Sequence, residues 1–108
     1  DESSQVMRFP FVVAPDATNV FGAMHGGVTA SLADIFTTIH LWGVEPQLRH
    51  VSANISIQYL SAAKGDSDVI CETRVVRYGK RLAFTEFSFV SASDGEVLAK
   101  GTHNKVFV

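Results

Sequence analysis

The sequence predicts an α+β domain in which one long helix is wrapped by a curved antiparallel sheet. Three observations carry this expectation. A single segment, Gly26 to about Trp42, repeats its apolar residues at helical spacing. Everything after residue 49 alternates in polarity or is rich in β-branched residues, with short turns between. The chain has 108 residues, enough for one hydrophobic core and too few for two, so residues 1–108 form a single domain.

Phe9 to Val13 is the first strand, and Pro10 and Pro15 confine it to a sheet edge, because proline has no N–H to give to a ladder. In the helix, Val28, Leu32, Ile35, Ile39 and Trp42 recur at spacings of 4, 3, 4 and 3, lining one face expected to pack inward. About 16 residues rising ~1.5 Å each give a helix near 24 Å long. Gly43 and Pro46 are expected to stop it. His50 to Leu60 alternates, with Val51, Ala53, Ile55, Ile57 and Tyr59 on one side and Ser52, Asn54, Ser56 and Gln58 on the other. A turn at Lys64–Ser67 leads into a strand from Val69 to Tyr78, and Gly79-Lys80-Arg81 turns it back. Leu82 to Ser91 follows, carrying Phe84, Phe87 and Phe89 as core residues. Ser93–Glu96 is the last turn, before a strand from Val97 to Val108. Strands of about 10 residues span roughly 33 Å, long enough to wrap the helix end to end.

Nine Lys and Arg against eleven Asp and Glu leave a formal charge of −2, with no basic block, so nucleic acid is not expected as a partner. No apolar run approaches the roughly 18 residues of a membrane helix, and no signal-peptide pattern opens the chain, so membrane insertion is not expected. The first residue is Asp1 and not Met, which points to a trimmed N-terminus. The expected compartment is the cytoplasm, with the mitochondrion open to a chain that once carried a targeting extension. The lone Cys71 excludes an internal disulfide and sits among Val, Ile and Thr as a small core residue. His40 and His50 read as surface or capping residues. No pair of histidines stands at i, i+4 with a third ligand, so no metal is expected.

The densest unusual stretch is Asn19 to Asp34, NVFGAMHGGVTASLAD. Gly26 and Gly27 at a helix start are either a tight turn or a place where a ligand reaches free backbone N–H groups, with the helix dipole favouring negative charge. The second alternative makes them an oxyanion site. Asp34 lies off the apolar stripe, near Ser31 and Thr38, either on a solvated face or facing a cleft as a general base or nucleophile. Eight residues separate Gly26 from Asp34, about 12 Å along the axis. If both act on one atom, the site is shared between antiparallel helices of a symmetric dimer.

Asn19, then His25-Gly26-Gly27, then Leu32-Ala33-Asp34 resembles the hotdog-fold acyl-CoA thioesterases, in particular their phenylacetyl-CoA-thioesterase-like branch. The resemblance runs on through Ser52, Tyr59-Leu60-Ser61-Ala62-Ala63-Lys64, Gly79-Lys80, Leu82-Ala83-Phe84 and Gly101-Thr102-His103-Asn104-Lys105. It implies the hotdog fold, a hydrolysis of fatty-acyl-CoA or aryl-acyl-CoA, and a homodimer that pairs into a homotetramer. It implies further that Gly26 donates its N–H to the thioester carbonyl and that the partner subunit's Asp34 activates water or attacks. Asn19 would position substrate or the Asp34 carboxylate, Ser52 would orient the water, and His103 would stand in the same site. His25 would orient the loop or polarise the carbonyl. Arg77, Lys80 and Arg81, with Arg74 nearby, form either a solvated turn or a site for the phosphates of coenzyme A, to which Lys64 and Lys105 could contribute. Coenzyme A enters as part of the substrate, and no other cofactor is implied. Two rival functions share the fold: an acyl-CoA-binding domain without catalysis, and a dehydratase or hydratase of acyl thioesters, which would call for a different acid/base pair.

Overall fold

The computed structural model describes residues 5–108. Its elements are β1 (Val6–Val12), a 3-10 turn at Pro15–Ala17, α1 (Gly26–Val44), β2 (His50–Tyr59), β3 (Asp68–Tyr78), β4 (Leu82–Ser91) and β5 (Val97–Phe107). The strands make one antiparallel sheet in the order β1-β3-β4-β5-β2. This is the wrapped-helix arrangement the sequence predicts. Pro10 lies opposite Ile70 on the edge strand β1, as a residue without an N–H must.

Register shifts in three pairings bend the sheet, at Ser52/Asn54, Val75/Arg77 and Phe89/Val90. Each inserts an extra residue and increases local twist, which lets long strands curl around α1. Gly101 on β5 relieves the tightest approach. A Cβ there would collide with the Ser56 carbonyl and lie 2.8 Å from the Phe87 ring. The main core holds Val13, Ala33, Val69, Cys71, Phe87, Phe89, Leu98 and Ala99, with Phe9, Phe11, Met24, Leu32 and Phe36 packed on it. A smaller cluster, Leu41, Val75 and Ala83 with Val44, Tyr78 and Phe107, closes the far end of α1.

The structure corrects three expectations. The face of α1 that is buried within the chain is Thr29, Ala33, Thr37, His40 and Leu41, while Ile35, Ile39 and Trp42 are exposed. Small side chains let the helix lie close on the sheet, and the larger apolar ones ride outside. On β2, the bulge around Ala53 reverses the alternation: Ser52 faces Lys105 and Ile55 faces His103, so both point toward the helix. The helix also runs through Gly43 to Val44 before Glu45 caps it.

Candidate active site

The start of α1 is set by a closely tied loop. Asn19 Oδ1 accepts from the N–H groups of Phe21 at 2.9 Å and Ala23 at 3.2 Å. Gly22 turns the chain with φ +77°, a conformation that costs glycine least. The Gly65 N–H donates to the Gly22 carbonyl, and Met24 N–H to that of Ala63. His25 is the N-cap: its Nδ1 accepts from the Gly27 N–H at 2.9 Å. The Tyr59 hydroxyl donates to the Gly26 carbonyl at 2.7 Å. The Gly26 N–H, at the first helical position, has no acceptor among the described residues. It borders a cavity of about 520 Å³ that Asn19, Met24, Tyr59, Phe89 and Leu98 also line.

Two turns along α1 a second cluster forms. Thr37 Oγ1 donates to the Ala33 carbonyl at 2.7 Å, so its single proton is used. His103 Nδ1, 2.8 Å from the same hydroxyl, must therefore donate to it. His103 Nε2 then carries no proton and accepts from Ser52 Oγ at 2.7 Å. Burial holds His103 below the usual imidazole range, the nearby Lys105 ammonium adds to this, and Asp34 opposes it. Asp34 Oδ1 stands 3.8 Å from the same Nε2. Because that nitrogen is unprotonated, the contact is not an ion pair; a half-exposed carboxylate and the Ser52 hydroxyl converge on one point. Thr38 Oγ1 lies 3.3 Å from Asp34 Oδ1 and accepts from Lys105 Nζ at 2.8 Å.

The predicted residues thus fall into two groups: Asn19, His25 and Gly26 at the helix start, and Asp34, Ser52 and His103 in its middle. Thr37, Thr38 and Lys105 join the second group without having been singled out for it; only the proximity of Thr38 to Asp34 on the helix pointed that way. Three expectations are corrected. His40 is buried and bonded to Thr73 Oγ1 at 2.8 Å. His50 packs between Trp42 and Phe107, and neither of its ring nitrogens has a partner among the described residues. Lys105 is buried against Thr38, not offered to an outside phosphate. Arg77, Lys80 and Arg81 are exposed at the β3–β4 turn, beyond the end of α1 opposite Gly26. Arg74 instead approaches Glu86 at 3.9 Å on the outer sheet face. A hollow of about 450 Å³ on that face, lined by Gln58, Glu72, Lys100 and Thr102 among others, holds Arg74 of the basic cluster but none of the residues expected in catalysis. No cluster of three or more metal-ligating side chains exists among the described residues.

Residues 21–98 match the model of the thioesterase superfamily. Human acyl-coenzyme A thioesterase 13 is 37% identical over 93 residues, covering 86% of this chain and 66% of the human protein. This chain thus spans just under two thirds of that relative's length. The crystal structure of mouse thioesterase superfamily member 2 superimposes with a TM-score of 0.88 at 31% identity, covering 94% of this chain and 74% of that one. A Streptococcus pneumoniae thioesterase protein solved with coenzyme A shares the fold, with a TM-score of 0.87 at 21% identity over 98% of this chain and 80% of that one.

Proposed function

The chain belongs to the thioesterase superfamily, and from that premise we propose that it hydrolyses fatty-acyl-CoA or aryl-acyl-CoA to the free acid and CoA, in a site shared by two copies. One observation carries the proposal. Asp34 and Ser52 converge on the unprotonated His103 Nε2, while the free Gly26 N–H stands eight residues back on the same helix, about 12 Å away. One chain therefore holds two half-sites that cannot reach a common carbonyl, and an antiparallel second helix would join them. The apolar surface for such pairing exists: Trp42 is 53% exposed, and Val20 and Phe21 at the loop tip are 94% and 89% exposed.

In the joined site the Gly26 N–H donates to the thioester carbonyl oxygen, with Asn19 beside it. A water between the partner subunit's Asp34 and the partner subunit's Ser52 attacks the carbonyl carbon, and the carboxylate takes its proton. The carbon–sulfur bond breaks, and the CoA thiolate leaves with that proton. A thiolate is a good leaving group, so one base and one backbone donor suffice. His103 holds the Ser52 proton, which turns the hydroxyl's lone pairs toward the water. The reaction asks for no metal or redox cofactor. Arg77, Lys80 and Arg81, beyond the far end of α1, would in an antiparallel pair lie about 15 Å along the axis from the partner's Gly26, a distance suited to the CoA phosphates and not to the thioester. Pairing of dimers into a homotetramer, and residence in the cytoplasm or mitochondrion, complete the reading.

Free-thiol release from short, medium, long and aryl acyl-CoAs tests it. Turnover on some member of the panel is expected, and Asp34→Asn should lower kcat about 10²-fold or more with the fold intact. A near-wild-type rate in the variant would remove Asp34 from the chemistry. Tight acyl-CoA binding without turnover in the wild type would make the chain a binding domain.

A further inference from the structure

We infer that Tyr59 is a positioning residue for the oxyanion donor and that His25 acts with it on the same peptide group. This rests on the thioesterase reading and adds to it. The Gly26–Gly27 peptide is held at both ends: its carbonyl accepts from the Tyr59 hydroxyl at 2.7 Å, and its N–H donates to His25 Nδ1 at 2.9 Å. The preceding N–H, that of Gly26, is then the one donor of the first turn without a partner among the described residues, and its own peptide is held through the His25 carbonyl, which accepts from the Val28 and Thr29 N–H groups. The Tyr59 ring also packs on the turn, since a Cβ on Gly26 would lie 3.3 Å from the hydroxyl and 3.4 Å from the ring carbon that bears it.

Tyr59 borders the cavity beside Gly26, and none of the residues lining that cavity is charged. Such a pocket suits an apolar acyl group and offers nothing to the phosphates of coenzyme A. The hydroxyl is thus placed at the junction between the acyl pocket and the reacting carbonyl. It acts through Gly26 and does not touch the substrate oxygen. The two side chains come from distant places, the N-cap of α1 and the end of edge strand β2, and neither alone fixes the peptide plane.

The test is a double-mutant cycle of Tyr59→Phe and His25→Ala, read by thiol release on a substrate the wild type turns over, at a temperature where all variants are folded. Tyr59→Phe keeps the ring and removes only the hydrogen bond. Each single change should lower kcat about 5- to 10-fold with KM unchanged, the size expected for losing one neutral hydrogen bond. The double variant should lose little more than either single one, because both release the same peptide. A kcat within twofold of wild type for Tyr59→Phe would overturn the inference, as would losses that multiply, which would give His25 a separate role. A wild type that releases no thiol would instead remove the thioesterase reading, and this role with it.

Discussion

At the scale of single residues, the site depends on who holds which proton. Thr37 spends its proton on the Ala33 carbonyl, which obliges His103 to donate from Nδ1 and to accept from Ser52 at Nε2. Thr37→Val keeps the shape but leaves the Nδ1 proton of an imidazole 1% exposed without an acceptor. Urea unfolding should show a loss of about 1–3 kcal/mol, and an unchanged midpoint would contradict the tautomer. Gly26 and Asp34 were legible because paired glycines at a helix start and a lone carboxylate within an apolar helix are unusual. Asn19, Ser52 and His103 took meaning only from the family resemblance. The partners of His103 and Lys105 were not legible, since Thr37–His103 and Thr38–Lys105 lie 66 and 67 residues apart in sequence. The sequence left Lys105 unplaced, free to contribute to a phosphate site, for the same reason: its burial comes from a helix that sequence spacing does not place over it.

At the scale of elements, strands β3, β4 and β5 follow their β-branched residues and turns almost to the residue. Periodicity found the helix, but it could not say which face meets the sheet. Apolar residues flank the small ones on α1, and closeness to the sheet favours Ala33 and Thr37 over Ile35 and Trp42. The bulge in β2 was equally hidden, because no residue type marks Ala53 as the extra one. Yet it turns Ser52 toward His103. The exposed β3–β4 turn carries a prediction of its own. Neutralising Arg77, Lys80 and Arg81 together should raise KM for acyl-CoA more than it lowers kcat, with the effect shrinking as salt rises past the Debye range of about 10 Å at 0.1 M. An unchanged KM would take the phosphates elsewhere.

At the scale of the whole molecule, burial also ties stability to pH. His40, His50 and His103 are all held below their ordinary 6.5, chiefly by burial. The unfolded chain therefore binds more protons, and stability that is full above about pH 6.5 should fall as pH drops below it. Urea midpoints at about pH 7.5 and 5.5 should differ in that direction, and equal midpoints would contradict it. Assembly is the larger consequence of the proposed function, in which a second helix joins the Gly26 and Asp34 half-sites. Subunit complementation tests this most directly. Gly26→Pro deletes the proposed oxyanion N–H at a first helical position whose backbone accepts proline, preceded by a residue already extended at φ −61°, ψ 138°; its Cβ, 3.3 Å from the Tyr59 hydroxyl, asks that side chain to give by a few tenths of an ångström. Asp34→Asn disables the other half. Each variant alone should release thiol at about 1% of the wild-type rate or less. Unfolded together in equal amounts and refolded, half of the dimers are mixed and carry one intact site of two, so the mixture should return to about a quarter of wild-type activity. A mixture that stays at the level of the single variants would contradict a site shared between chains.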